Sequence, residues 1–207
     1  MPIQEPLVIR AATKADAARL GQFQIAALAG GLGDLLPSWT RSALTLEERT
    51  ETWRFILGAA ARTGETHVLI AERGGRMVGM AAAGPQRSGA LAALGYGAEL
   101  TAIHVARGER RGGLGRLLLR RLFALVAGRA RTGVSFWALR ADAGTRRFVE
   151  ASGAVRLPVE LTSGRGVDDI AFGWASAELS VAADRPDTRR RAAPPPRVAA
   201  AAAEAAA

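Results

Sequence analysis

The stretch with the most chemistry in it is Arg107-Gly108-Glu109-Arg110-Arg111-Gly112-Gly113-Leu114-Gly115-Arg116, leading into Leu117-Leu118-Leu119-Arg120-Arg121-Leu122. Leu114, Leu117, Leu118, Leu122 and Leu125 recur at helical spacing and are expected to form a buried face. Arg116 and Arg120 stand four apart on the other side. At a helix start the first backbone N–H groups lack intrahelical acceptors, and the dipole adds partial positive charge. Glycines let a ligand come close to that backbone. The combination suits a pyrophosphate, with arginines at hand to supplement it. Two other phosphate motifs fit poorly. A P-loop needs Gly-Lys-Ser/Thr, which is missing. A dinucleotide fingerprint counted from Gly113 and Gly115 needs a third glycine where Leu118 stands. An ordinary glycine-started helix with a solvated arginine face explains the same spacing, and spacing alone leaves both readings open.

Other acid–base groups are sparse. Glu99 opens the apolar stretch at residues 98–105, and His104 lies near its end. Counting by twos puts Glu99, Thr101, Ile103 and Val105 on one face of a strand, so Glu99 need not share a side with His104. The carboxylate suits a general base, acting directly or through water. An edge charge, or a salt bridge to one of the many arginines, is the alternative. His104 has a near-neutral intrinsic pKa but reads better as a packed strand residue, and His67 as structural. The cysteine count is zero, which excludes thiol nucleophiles, zinc–cysteine sites and disulfides. Two histidines argue against a multi-histidine metal site, so no metal is expected.

The elements that must carry these groups alternate between strand and helix. Residues 8–10 read as a first strand, and Thr13 with Asp16 as a helix start, followed by a helix over 15–28 that Gly30-Gly31-Leu32-Gly33 should break. A second helix is expected over 46–61, with Trp53, Ile56 and Leu57 on one face. Strands at 66–71 and 76–83 flank the turn Gly74-Gly75. Strand 98–105, helix 110–128, strand 134–139, helix 145–152 and strands 155–157 and 169–174 complete an α/β pattern with a mixed sheet covered by helices. A domain over residues 1–179 is expected. The Arg/Pro/Ala-rich residues 180–207 read as a disordered tail carrying five Arg and three acids.

The net charge is +9, from 28 basic and 19 acidic residues. Twenty-seven of the basic residues are Arg and 45 residues are Ala, a skew that reads as coding bias rather than selection for nucleic acid. Sparse aromatics and the lack of a helix-turn-helix, RRM or zinc motif point the same way. No apolar stretch of about 20 residues and no signal-like N-terminus occur, so a cytoplasmic protein without membrane association is expected.

Arg110-x-x-Gly113-x-Gly115 resembles the R/Q-x-x-G-x-G/A motif of the GNAT superfamily of acyl-CoA-dependent N-acyltransferases. Residues 139–153, LRADAGTRRFVEASG, resemble that family's LRxNxxARRFYExxG segment, and residues 9–16, IRAATKAD, its IRxATxxD opening. The resemblance covers about residues 7–174. It implies a mostly antiparallel sheet with splayed central strands, and acetyl transfer from acetyl-CoA to an amine.

It also implies roles. Backbone groups of Ile103, His104 and Val105 would pair with the pantetheine arm. The stretch Arg110, Arg111, Gly112, Gly113, Leu114, Gly115 and Arg116 would hold the pyrophosphate, with Asp142 and Phe148 contributing to the CoA site. The N–H of Val105 would polarise the acetyl carbonyl, and Glu99 would take the amine's proton. Trp39, Tyr96 and Glu99 would line the acceptor side. Val149 stands where the family often has a Tyr able to protonate the leaving thiolate. Trp137 stands where relatives that acetylate protein N-termini carry an acid. A small-molecule amine is therefore the expected acceptor, with a protein N-terminus, or a non-catalytic acyl-CoA-binding module, as alternatives. The resemblance allows a homodimer.

Overall fold

The computed structural model describes residues 5–32, 35, 45–127, 132–163 and 167–176. Its strands are β1 (Leu7–Ala11), β2 (His67–Arg73), β3 (Arg76–Pro85), β4 (Ala98–Val105), β5 (Val134–Leu139), β6 (Val155–Ser163) and β7 (Val167–Trp174). Its α-helices are α1 (Ala17–Leu32), α2 (Leu46–Thr63), the short α3 (Gly89–Ala93), α4 (Leu114–Ala127) and α5 (Ala143–Glu150). The strands form one sheet in the order β1-β2-β3-β4-β5-β7-β6. Every adjacent pair is antiparallel except β4 and β5, which run parallel. Trp39 and residues 177–207 lie outside the described residues. Among the described residues no helix is long and apolar enough to cross a membrane.

Helix α4 anchors one face. Leu114, Leu118, Leu119, Leu122, Phe123 and Val126 are buried against Ala81, Ala83, Leu100, Phe136 and Ile170. The buried face is rotated from the one the leucine spacing suggests: Leu125 is 41% exposed, and Leu119, Phe123 and Val126 complete the stripe. Small residues on β3 let the helix come close. A Cβ on Gly79 would stand 3.0 Å from Leu118 Cδ1 and 3.3 Å from Leu114 Cδ2. Phe123 meets Trp174 edge-on at 5.0 Å, and Trp174 Nε1 donates to Ser152 O at 3.0 Å, which ties α4, β7 and the end of α5 together.

Helices α1 and α2 cover the other face, burying Leu20, Trp53 and Leu57 against Val68, Ile70, Met80 and Ala102. Trp53 is a core residue, as its helical spacing suggests, and its indole N–H donates to Gln24 Oε1 at 3.0 Å. The glycine pair Gly30-Gly31 does not end α1, which continues to Leu32. Each helical glycine costs only about 1 kcal/mol, and α1 is held on α2 through Leu20, Gly21 and Gln24. The last two strands are longer than their sequence pattern suggests. β6 passes through Pro158, which sits in a register shift on the edge strand where its missing N–H costs no ladder bond.

The start of α1 shows what the Thr13–Asp16 pattern does. Asp16 Oδ2 accepts from the Thr13 N–H at 2.8 Å and from its hydroxyl at 3.0 Å. The same carboxylate takes both Arg10 Nη groups at 2.8 Å. Arg10 also donates to Glu72 at 2.9 Å, so one cluster ties β1, β2 and α1. The Arg10 guanidinium holds the buried Asp16 carboxyl well below the usual carboxylate range. A carboxylate with a depressed folded pKa contributes its stability above its unfolded pKa of about 4 and loses it as the pH falls. Asp16→Asn should therefore cost roughly 2–3 kcal/mol at neutral pH. Urea denaturation should show the variant losing less stability than the wild type between pH 7 and pH 3.

Candidate active site

The site begins where β4 and β5 part. They pair only where Ala98, Glu99 and Leu100 stand opposite Val134, Ser135 and Phe136. Beyond that, β4 runs on to Val105 beside β3, and β5 runs on to Leu139 beside β7. Among the described residues, the β5-facing backbone edge of residues 101–105 has no strand partner, and a wedge opens. An extended chain bearing amides can pair with such an edge. Ile103, His104 and Val105 line it, each half-buried.

The glycine loop follows directly. A 3-10 turn over Arg107–Glu109 leads to Arg111 at φ 65° and Gly113 at φ 90°. A Cβ on Gly113 would meet nothing within 4 Å, so its backbone is open to a ligand. The first bond of α4 runs from the Leu117 N–H to Gly113 O at 3.0 Å. The N–H groups of Gly113, Leu114, Gly115 and Arg116 therefore have no helical acceptor. Gly115 answers to packing instead. A Cβ there would stand 3.0 Å from Phe148 Cε2 and 3.8 Å from Val105 Cγ2. Its bare backbone lets α4 close on α5 and β4.

Charge around the loop is unbalanced. Its one acid, Glu109, is paired with Arg73 at 3.1 Å. Arg110 Nε donates to Val105 O at 3.1 Å, and Arg116 Nη2 donates to Ala151 O at 2.9 Å. Carbonyl acceptors orient these guanidiniums without neutralising them. Together with the open N–H groups they make a place for a compact anion, and the β4 edge has the form that an extended amide-bearing chain can pair with. Asp142 caps α5, accepting from the Thr145 N–H at 2.9 Å.

A bulge sets which way β4 faces. Ala82 pairs with Ala102 and Ala83 with Leu100, so Thr101 is an extra residue. Alternation reverses there. Leu100, Ile103 and Val105 lie on the α4 side. Ala102 lies on the α1–α2 side, as does Met80, the partner of His104. Glu99 stands opposite Gly84, two residues on from Ala82, and so faces the α1–α2 side as well. The period-two expectation is corrected: Glu99 shares its face with Ala102 and His104, not with Ile103 and Val105.

Glu99 is 2% exposed. Arg87 Nε donates to Glu99 Oε2 at 3.2 Å, and Arg87 Nη2 to Glu99 Oε1. Gln86 sits beside the pair, its Nε2 donating to Ser135 Oγ at 2.6 Å. Burial, aided by the nearby Arg110 charge, lowers the His104 pKa to about 4. The imidazole is neutral at pH 7 and a weak base. Glu99 and Val105 are six residues apart, roughly 17–20 Å at a strand's rise. They cannot both touch one reacting carbon, and the part of the open edge nearest Glu99 is the bulge.

Tyr96 lies in a cluster with Leu91, Leu157 and Ala171. Its ring covers two glycines, and a Cβ on Gly133 would fall 2.6 Å from Tyr96 Cδ1. Val149 is fully buried in the α4-side core. The partners missed from sequence are Gln86, Arg87 and Ser135. The only signal for Gln86 and Arg87 is that antiparallel β3 and β4 must bring residues just after Pro85 opposite residues just before Glu99; Ser135, on β5 opposite Glu99, has no local signal.

The Acetyltransferase (GNAT) family model matches residues 33–153. None of the curated proteins matches the chain. Solved structures do. PaiA N-acetyltransferase from Thermoplasma acidophilum, in complex with coenzyme A, is similar at a TM-score of 0.67 and 12% identity, over 81% of this chain and 98% of that one. YncA from Salmonella typhimurium, with its cofactor acetyl-CoA, has a TM-score of 0.61 and 20% identity, over 83% and 94%. Ribosomal-protein-alanine N-acetyltransferase from Brucella melitensis has a TM-score of 0.60 and 26% identity, over 81% and 99%. With its mostly antiparallel, centrally parted sheet and its glycine loop, the chain belongs to the GNAT acetyltransferase family.

Proposed function

We propose that this protein moves an acetyl group from acetyl-CoA directly to the primary amine of a small molecule. The observation that carries this reading is the β4–β5 wedge, with an open-backbone arginine loop at one end and a buried carboxylate at the other. The pantetheine arm pairs with the edge at Ile103, His104 and Val105. The pyrophosphate lies on the N–H groups of residues 112–116, with Arg110, Arg111 and Arg116 around it. Phe148 and Gly115 form the wall between loop and wedge, and Asp142 holds the α5 start in place.

The acetyl carbon then lies toward the bulge, on the Glu99 side. The acceptor arrives as an ammonium and gives one proton to Glu99, directly or through water. The freed nitrogen forms the N–C bond, the C–S bond breaks, and the second proton leaves nitrogen as sulfur takes one up. Backbone N–H groups of the open edge stabilise the carbonyl oxygen as charge develops on it. Val149 supplies no proton to sulfur.

A second reading is acetylation of a protein N-terminus, favoured by the 26% identity to the Brucella melitensis enzyme. Trp137 in place of an acid argues against it. A thiol-release assay with small amines beside an alanine-terminated peptide separates the two. Turnover of the peptide alone would overturn the small-molecule assignment.

Two variants probe the two ends of the wedge. Glu99→Gln should lower kcat/KM about a hundredfold while acetyl-CoA affinity, read by calorimetry, stays unchanged. Gly113→Ala forces a side chain to φ 90° and should cost about 1 kcal/mol of stability. The same substitution should weaken acetyl-CoA binding about tenfold, because a methyl group then stands where the pyrophosphate approaches.

A further inference from the structure

We propose that the acceptor is a primary amine that also carries a carboxylate, bound by opening the Glu99–Arg87 ion pair and placing its two charges between them. This rests on the reading of the site as an amine acetyltransferase.

The pair is lopsided. The Glu99 side chain is 3% exposed, whereas that of Arg87 is 72% exposed. Among the described residues Arg87 is the cation paired with Glu99. An incoming ammonium therefore reaches this carboxylate by taking the place of the guanidinium. The backbone under Arg87 is fixed while its side chain extends into solvent. Gln86 N–H donates to Gly97 O at 3.0 Å, and Gln86 Oε1 accepts from the N–H groups of Arg87 and Ser88, each at 3.0 Å. The guanidinium can swing without disturbing the loop.

A simple amine would leave Arg87 without its acid. An amine with a nearby carboxylate restores both partnerships: ammonium to Glu99, carboxylate to the planar fork of Arg87. A chain of alternating charges then replaces the pair. The net charge of +9 favours the approach of an anionic group over that of a polycation. In the reaction the ammonium gives its proton to Glu99, the N–C bond forms as the C–S bond of acetyl-CoA breaks, and the second nitrogen proton balances the thiol. The acceptor carboxylate stays unchanged on Arg87.

The test measures CoA release by the full chain with L-amino acids, β-alanine and their matched carboxamides. The acids should be preferred by about tenfold or more in kcat/KM, mostly through KM, because removing the charge leaves the arginine unpaired. Arg87→Gln should collapse that preference to within about threefold, and Arg87→Lys should keep part of it. Equal or better turnover of the carboxamides by the wild type overturns the proposal, and this comparison needs no variant to fold. If acetyl-CoA binds in calorimetry but only amines without a carboxylate turn over, the acceptor class is wrong and the transferase reading stands. If acetyl-CoA does not bind, the transferase reading fails, and the acceptor proposal with it.

Discussion

A strand alternates its side chains with a period of two, so one inserted residue reverses every side chain after it. Thr101 is that residue in β4. Before it, Leu100 feeds the α4-side core and Glu99 the opposite face. After it, Ile103 and Val105 take the α4 side, while Ala102 and His104 turn to α1 and α2. Were Thr101 paired as a regular strand residue instead of bulged out, Glu99 would share a face with Ile103 and Val105, which pack against the core around Gly115 and Phe148. The bulge also lies where β4 loses β5 as a partner. One irregularity thus places the acid on one side of the sheet and the loop-facing residues on the other, with the wedge between them.

Two sets of arginines differ in what they meet, and the difference carries the electrostatics. Arg10, Arg19, Arg73, Arg87, Arg140 and Arg156 each meet a carboxylate and contribute little net field. Among the described residues, Arg110 and Arg116 donate to carbonyl oxygens and to no carboxylate. A carbonyl fixes the direction of a guanidinium but leaves its charge whole. Positive potential therefore concentrates at the start of α4, where the helix dipole and the open N–H groups act in the same sense. A compact polyanion held there needs few side-chain contacts, because the backbone supplies most of the donors.

The order of elements is legible because turns and periodicity are local. Gly74-Gly75 marks the β2–β3 turn, the leucine spacing marks α4, and Thr13 with Asp16 marks the approach to α1. The glycine loop is legible for the same reason, although its two glycines differ in kind. Gly113 meets a backbone demand and Gly115 a packing one, and nothing in the local sequence tells them apart. Illegible features are those set by pairing between distant strands. The Thr101 bulge comes from the β3–β4 register, and the Glu99–Arg87–Gln86–Ser135 cluster needs β3, β4 and β5 side by side. The buried run Met80–Ala83 has weak strand propensity, yet the Gly74-Gly75 turn makes it legible as the return strand. It is a strand because helices on both faces need small residues beneath them.

Val149 bears on how such a site can manage its protons. Fully enclosed in the α4-side core, it offers no acid near the wedge. A leaving alkoxide would require one, but a thiol has an ordinary pKa of about 8.5 and leaves as a tolerably stable anion. The ammonium of the acceptor lies higher, near the lysine value of about 10.4. Removing the first proton from nitrogen is thus the harder of the two transfers at neutral pH, and the attacking nitrogen itself carries the proton that sulfur needs afterwards. A site with one well-placed carboxylate and no acid is chemically sufficient for this leaving group. Neutral His104 cannot substitute for either role, since burial has moved its pKa to about 4, well below both groups it would have to serve. On the proposed reading the demand falls on Glu99, whose buried carboxylate is paired with the solvent-exposed side chain of Arg87.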